Sequence, residues 1–430
     1  MVLLYCIILF IIGLWIYRSY PQYILHYVLL WICFAPWIIN LGYSIEEEDY
    51  WNILTWAVYL SYAIAITDIA RNKVKDKWIK KIFFLMSCLV LVYSMLSFFR
   101  GTSFISSLKY IVGNTGFLVS LSVIYLKQSE LKSLIKLIRA IVYFELALAF
   151  IQPFTDLLNY EAVLSGDDVM TSIVNGSFIR NNVFIEFLTP LVMLLVYVDY
   201  QRHKKVLLRS VVVILFLLYE TYNTGVRTAL VAILPIIIYM FYHLLGFFFK
   251  TPKSRILAML LFGLSMYSLY SFVNNMAANT GVTYTQNATD SSERQTVLLS
   301  MLNDSDFAEN QTTLGLSFIV LSTLPENPLL GPGYLFQGNG YGNFINMEEG
   351  NVTDATLAIF ICETGLLGLI LLLIVYYVIL CKMSIPNLLT LLIFIYLFII
   401  SIVDSGVFFM GNMLVLFIAK KVTDKSIILR

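Results

Sequence analysis

From end to end the chain repeats apolar runs of about 17 to 22 residues separated by short polar connections, the length that crosses the hydrocarbon core of a bilayer as a helix. This restricts the fold class to an all-α polytopic membrane protein. Composition agrees: 59% of the 430 residues are apolar and 13% charged, where a soluble protein carries about 25% charged residues.

Thirteen candidate spans follow, over residues 2–17, 23–41, 50–69, 82–99, 110–126, 137–152, 183–199, 206–222, 228–249, 256–273, 355–381, 387–403 and 405–419. The expectation is about 13 transmembrane helices, within bounds of 12 to 14. The run from Val2 to Tyr17 lacks a basic start and a small-residue cleavage site, so it reads as a retained first span. No internal repeat or low-complexity tract interrupts residues 1–430, which form a single membrane domain with a smaller loop over 153–181 and a large one over 274–354. The large loop is rich in Asn, Thr, Ser, Gly and acidic residues and is the main water-compatible segment of the chain.

Lysine and arginine set the orientation, because they concentrate in cytoplasmic connections. Alternate connections are basic: Arg71 to Lys81, Lys127 to Arg139, Arg202 to Arg209 and Lys250 to Arg255, joined by Arg18, Lys382 and the C-terminal tail. Arg100, Lys109, Arg180, Arg227 and Arg294 fall in the other set, beside Glu46 to Asp49, Asp167 and Asp168. That set faces away from the cytoplasm and includes the 274–354 loop. Thirteen spans place the C-terminus inside and the N-terminus outside.

Neither a soluble ATPase nor a metalloenzyme is supported: there is no Gly-rich phosphate loop of the nucleotide-binding kind, and His26, His203 and His243 share no ligand spacing. No cofactor, metal or nucleic acid is expected. Cys6, Cys33, Cys88, Cys362 and Cys381 lie within or at the ends of apolar runs and read as packing residues. The external arginines are the more informative set, since the guanidinium fork suits phosphate and carboxylate; the competing reading is that each pairs with a nearby acid or lipid headgroup. Arg227 directly precedes the span that begins at Thr228, where a helix N-terminus also favours an anion. Glu145, Glu186 and Glu363 lie inside apolar spans, where ionisable groups are costly and are either functional or structural hydrogen-bond partners. Glu145 reads as a helix-to-helix contact. Glu186 and Glu363, near outer span ends, read as cavity-lining groups or partners of the arginines. Tyr334, Phe336, Tyr341 and Phe344 are candidates to stack on sugar rings. The segment Pro325-Glu326-Asn327-Pro328-Leu329-Leu330-Gly331-Pro332-Gly333-Tyr334 is a dense turn that fixes one backbone path, and Ser291 to Leu302 reads as an amphipathic surface helix.

Taken in order, Asn223-Thr224-Gly225-Val226-Arg227-Thr228, Arg294, the Asn327 to Gly333 turn, and Asp354 leading into Glu363-Thr364-Gly365-Leu366-Leu367-Gly368 resemble the O-antigen polymerase and ligase superfamily of bacterial envelope proteins. The resemblance covers the chain from about Asn175 onward and implies a GT-C-type glycosyltransferase membrane fold. It also implies glycosyl transfer from an undecaprenyl-pyrophosphate donor at the outer face of the bacterial cytoplasmic membrane, feeding O-antigen (lipopolysaccharide) or capsule synthesis. By the same resemblance Arg227 and Arg294 hold the donor pyrophosphate, Asp354 is the candidate base, and Arg100, Arg180, Glu186, Tyr334 and Glu363 are substrate-binding candidates. Ligases of the superfamily carry a His where this chain has Thr353-Asp354-Ala355, which favours a Wzy-type repeat-unit polymerase. Its expected partners are lipid-linked oligosaccharides, the bilayer and a membrane protein that regulates chain length. The rival readings are a ligase acting on lipid A core and a flippase of lipid-linked sugars; a flippase tends to show internal repeats and mid-membrane cationic cavities.

Overall fold

The computed structural model describes residues 1–43, 47–74, 76–99, 131–152, 176–178, 181–203 and 207–223, short stretches between 237 and 263, residues 329–330, and scattered positions between 364 and 419. Among the described residues there is no strand. The helices with continuous bounds are α1 (Val2–Ser19), α2 (Ile24–Gly42), α3 (Glu47–Ala70), α4 (Lys77–Phe99), α5 (Leu131–Ile151), α6 (Asn181–His203) and α7 (Leu208–Asn223). Four stretches, Val2–Ser19, Pro21–Gly42, Asn52–Ala70 and Lys77–Leu96, are long and apolar enough to cross a membrane. The protein is an all-α membrane protein.

These helices coincide with the expected spans at 2–17, 23–41, 50–69, 82–99, 137–152, 183–199 and 206–222. Span 110–126 lies outside the described residues, and those from 228 onward lie largely outside them, so the total number of spans and the GT-C likeness extend beyond what is described. α4 and α5 begin about a turn or more before the apolar runs do, because their first turns carry lysines. Lys132 and Lys136 are exposed while Leu131, Leu134 and Ile138 are buried on the opposite side of the same turns. Long basic side chains can extend a membrane helix into the headgroup layer while their stems cover apolar surface.

Packing begins with a hairpin. The Tyr5 hydroxyl donates to the Ala35 carbonyl at 3.0 Å and the Tyr27 hydroxyl to the Leu9 carbonyl at 2.6 Å, holding α1 antiparallel to α2. α3 returns parallel to α1: Phe10 meets Trp56 edge-on at 5.7 Å, and the Tyr17 hydroxyl donates to Asp68. Gly13 sits at the crossing, where a Cβ would fall 2.3 Å from Leu60 Cδ2. A small residue at such a point lets two membrane helices approach closely. Phe144 of α5 packs against Phe34 at 5.4 Å and Trp37 at 6.0 Å, joining α2 to α5.

α5, α6 and α7 form a second unit, each packed on the other two. Every residue of α6 from Phe187 to Asp199 is buried. A helix apolar all round belongs in the middle of a bundle. α1 is the opposite case: Leu3, Leu4, Ile8, Ile11 and Trp15 are exposed, an apolar face suited to lipid. Pro36 in α2 and Pro190 in α6 are the kind of interior prolines that membrane helices tolerate.

Candidate functional site

Arg100, Arg180, Arg227, Arg294, Tyr334, Asp354 and Glu363 lie outside the described residues. Glu186 is on α6, with its backbone described and its side chain outside the description. The geometry nearby comes from their chain neighbours, held by three sets of polar contacts.

The first set fixes the direction of α5, α6 and α7. Asp199, near the end of α6, accepts Arg139 Nη2 at 2.7 Å, Arg209 Nη2 at 2.6 Å and Arg209 Nε at 2.9 Å. Arg139 is on the first half of α5 and Arg209 at the start of α7, so one carboxylate ties three helix ends together. At the far end Phe150 of α5 meets Phe216 at 5.4 Å and Tyr219 at 6.0 Å on α7. α5 and α7 are therefore parallel and α6 antiparallel to both. The end opposite Asp199 carries Ile151, Asn181 and Asn223. These are the residues from which the 153–181 loop departs, before which Arg180 stands, and with which the Asn223 to Thr228 motif opens.

The second set sits inside that far end. The last part of the 153–181 loop returns as a turn, Gly176 to Phe178, and all three residues are buried. Gln152 grips it with both ends of its amide: Nε2 donates to the Gly176 carbonyl at 3.0 Å, and Oε1 accepts the Gly176 N–H at 3.0 Å. Glu145 Oε2 accepts the Ser177 N–H at 2.8 Å. The Ser177 hydroxyl lies 2.5 Å from Glu145 Oε1 and 2.8 Å from the Cys33 carbonyl of α2. Phe178 closes the turn against Phe184 at 6.2 Å and Phe187 at 5.8 Å. Gly176 has φ +59, and a Cβ there would fall 2.5 Å from both Glu145 Oε2 and the Phe184 ring, so only glycine fits. The expectation for Glu145 is corrected here. Among the described residues it bonds a turn lodged between helices rather than another helix, and residues 176–178 of the 153–181 loop are buried.

The third set joins two of the segments that carry the superfamily resemblance. Leu329, in the Pro/Gly turn, accepts the Leu367 N–H on its carbonyl at 3.0 Å. The helical turn containing Leu367 is held in turn by α4, whose Tyr93 hydroxyl donates to the Thr364 carbonyl at 2.6 Å. Thr364 is buried and follows Glu363, and Tyr93 precedes Arg100 by two helical turns of sequence.

Three further buried acids, Asp68, Asp199 and Glu220, stand near the ends of apolar runs rather than in their middles. All three fall within expected spans, at or near their ends, and that position is the signal that finds them. Asp68 joins Tyr17 to Lys73, whose Nζ is 3.6 Å away. Glu220 is fully buried on α7, and both carboxyl oxygens lack a hydrogen-bond partner among the described residues. No group of three His, Cys, Asp or Glu side chains placed to hold a metal occurs among the described residues. Cys6 and Cys33 are free and buried, as packing residues are. No family model matches the chain, and no curated protein matches it.

Proposed function

We propose that the protein is a glycosyltransferase that joins undecaprenyl-pyrophosphate-linked oligosaccharide units into a long polysaccharide, O-antigen or capsule, at the outer face of the bacterial cytoplasmic membrane. The observation that carries the reading is the contact between Leu329 and Leu367: the Pro/Gly turn of the large loop docks on the helical turn that follows Glu363. Two of the four resembling segments, nearly forty residues apart in the chain, are neighbours in space. The polarity of the helices is a second support. Arg18, Arg71, Lys73, Arg139, Arg202 and Arg209 lie at helix ends that the positive-inside rule assigns to the cytoplasm. The Asn181 and Asn223 ends then face outward.

The chemistry needs no nucleotide. A hydroxyl oxygen of one lipid-linked unit attacks the anomeric carbon of the growing chain, and the bond from that carbon to the pyrophosphate oxygen breaks. The electron pair leaves with undecaprenyl pyrophosphate, and the hydroxyl proton passes to a base, for which Asp354 is the candidate. Arg227 and Arg294 stabilise charge building on the departing oxygen, an electrostatic term that is commonly the largest in catalysis.

The test is replacement of either arginine. Arg227→Ala and Arg294→Ala each abolish long-chain polysaccharide while protein levels hold, since losing one such donor costs about 100-fold or more. Arg227→Lys rescues poorly, because a point charge replaces a fork. Normal chain length in both alanine variants sinks the assignment. Gene deletion separates the neighbouring reactions: single repeats on surface lipid mark a polymerase, accumulated lipid-linked polymer a ligase.

A further inference from the structure

The Gly176 to Phe178 turn is irregular backbone lodged among membrane helices, between α2, α5 and α6. Such backbone survives at membrane depth only where protein satisfies its polar groups or where it lines a water-filled cavity. Here protein satisfies them: Gln152 and Glu145 take up both backbone groups of Gly176 and the N–H and hydroxyl of Ser177. The turn is joined to the start of α6 at Asn181 through two intervening residues, the second of which is Arg180. The turn is thus a fixed point inside the protein, three positions before α6 begins at Asn181.

We infer that Glu145 and Gln152 are positioning residues, which lock the Gly176 to Phe178 turn and so set the start of α6 for binding of the lipid-linked pyrophosphate. The inference rests on the function proposed above. Glu145 works as a hydrogen-bonding group rather than as a charge. The Ser177 hydroxyl has one proton and faces two acceptors, Glu145 Oε1 and the Cys33 carbonyl. Both contacts are hydrogen bonds when the proton between Ser177 and Glu145 comes from the carboxyl. A glutamine reproduces that pattern, its oxygen accepting the Ser177 N–H and its NH₂ donating to the hydroxyl. Leucine reproduces neither.

Two measurements on the full-length protein in lipid nanodiscs test this, on the wild type, Glu145→Gln, Glu145→Leu and Gln152→Leu. Hydrogen–deuterium exchange of the peptide spanning Gly176 to Phe184 reads the turn directly. The Ser177 and Gly176 amides exchange slowly in the wild type and Glu145→Gln, and at least about tenfold faster in the two leucine variants, as the loss of a buried hydrogen bond requires. Titration with undecaprenyl pyrophosphate reads the consequence: affinity holds in Glu145→Gln and falls by about tenfold in both leucine variants, the effect of one misplaced contact to a charged group. Unchanged exchange in the leucine variants overturns the clamp. Faster exchange with unchanged affinity overturns the positioning role and leaves a purely structural one. Glu145→Gln behaving like Glu145→Leu overturns the hydrogen-bonding role. A wild type that binds no undecaprenyl pyrophosphate overturns the proposed function and the positioning role with it, whatever the exchange shows.

Discussion

Glu220 puts the energetics of this fold in one side chain. It is fully buried on α7, one turn before the Asn223 to Thr228 motif, and neither carboxyl oxygen has a hydrogen-bond partner among the described residues. A buried polar group left unpaired costs roughly 1 to 3 kcal/mol relative to an apolar replacement that fits. Glu220→Leu is therefore expected to raise the stability of the purified protein by about that amount, read as a higher unfolding midpoint in mild detergent. A lower midpoint shows that the carboxyl has partners that stabilise it. Asp199 and Asp68 are the contrasting cases, each buried and each held by a cation or a phenol. None of the three was legible as a partnered or unpartnered group, because some of the deciding neighbours are distant in the chain and sequence does not show which near ones make contact. Asp199 finds Arg139 across 60 positions, and Asp68 finds Tyr17 across 51.

Helices were the most legible part of the sequence, and their meeting points the least. Uninterrupted apolar length located α1 to α7 in outline, with α4 and α5 extended through lysine-bearing turns that hydropathy alone cuts off. The Gly176 to Phe178 turn carries no such signature. Gly-Ser reads as solvated loop, and the residues that bury it, Gln152 and Glu145, stand 24 and 32 positions away. How α5, α6 and α7 are tied is open to a direct test at Asp199. Removing one partner of a fully buried ion pair costs about 3 to 5 kcal/mol, but the arginines here are partly exposed, 26% for Arg139 and 42% for Arg209, and solvent weakens the pairs. Asp199→Ala is expected to lower stability by about 2 to 3 kcal/mol. Arg209→Ala is expected to cost about 1 kcal/mol or less, because Arg139 still neutralises the carboxylate. Equal losses in the two variants, measured by denaturant unfolding in detergent, contradict the picture of Asp199 as the shared centre.

At the scale of the whole molecule, the proposed reaction would require residues far apart in sequence to converge at one face of the membrane. The helix directions bring the Asn181 and Asn223 ends of α6 and α7 together, opposite the Asp199 cluster. Independently, the Leu329 to Leu367 contact draws the large loop back onto the helix that follows it, beside Tyr93 of α4. A single pyrophosphate bridged by Arg227 and Arg294 needs the two assemblies to face each other. Side-chain reach then limits the Cα separation of the two arginines to about 15 Å, roughly the combined length of the two extended side chains. Replacing both with cysteine in a background free of the five native cysteines, and bridging them with bifunctional maleimides of graded length, measures that separation in membranes. Cross-linking is expected with spacers of about 10 to 15 Å. If only much longer spacers react, the two arginines serve different sites and a shared donor pyrophosphate is ruled out.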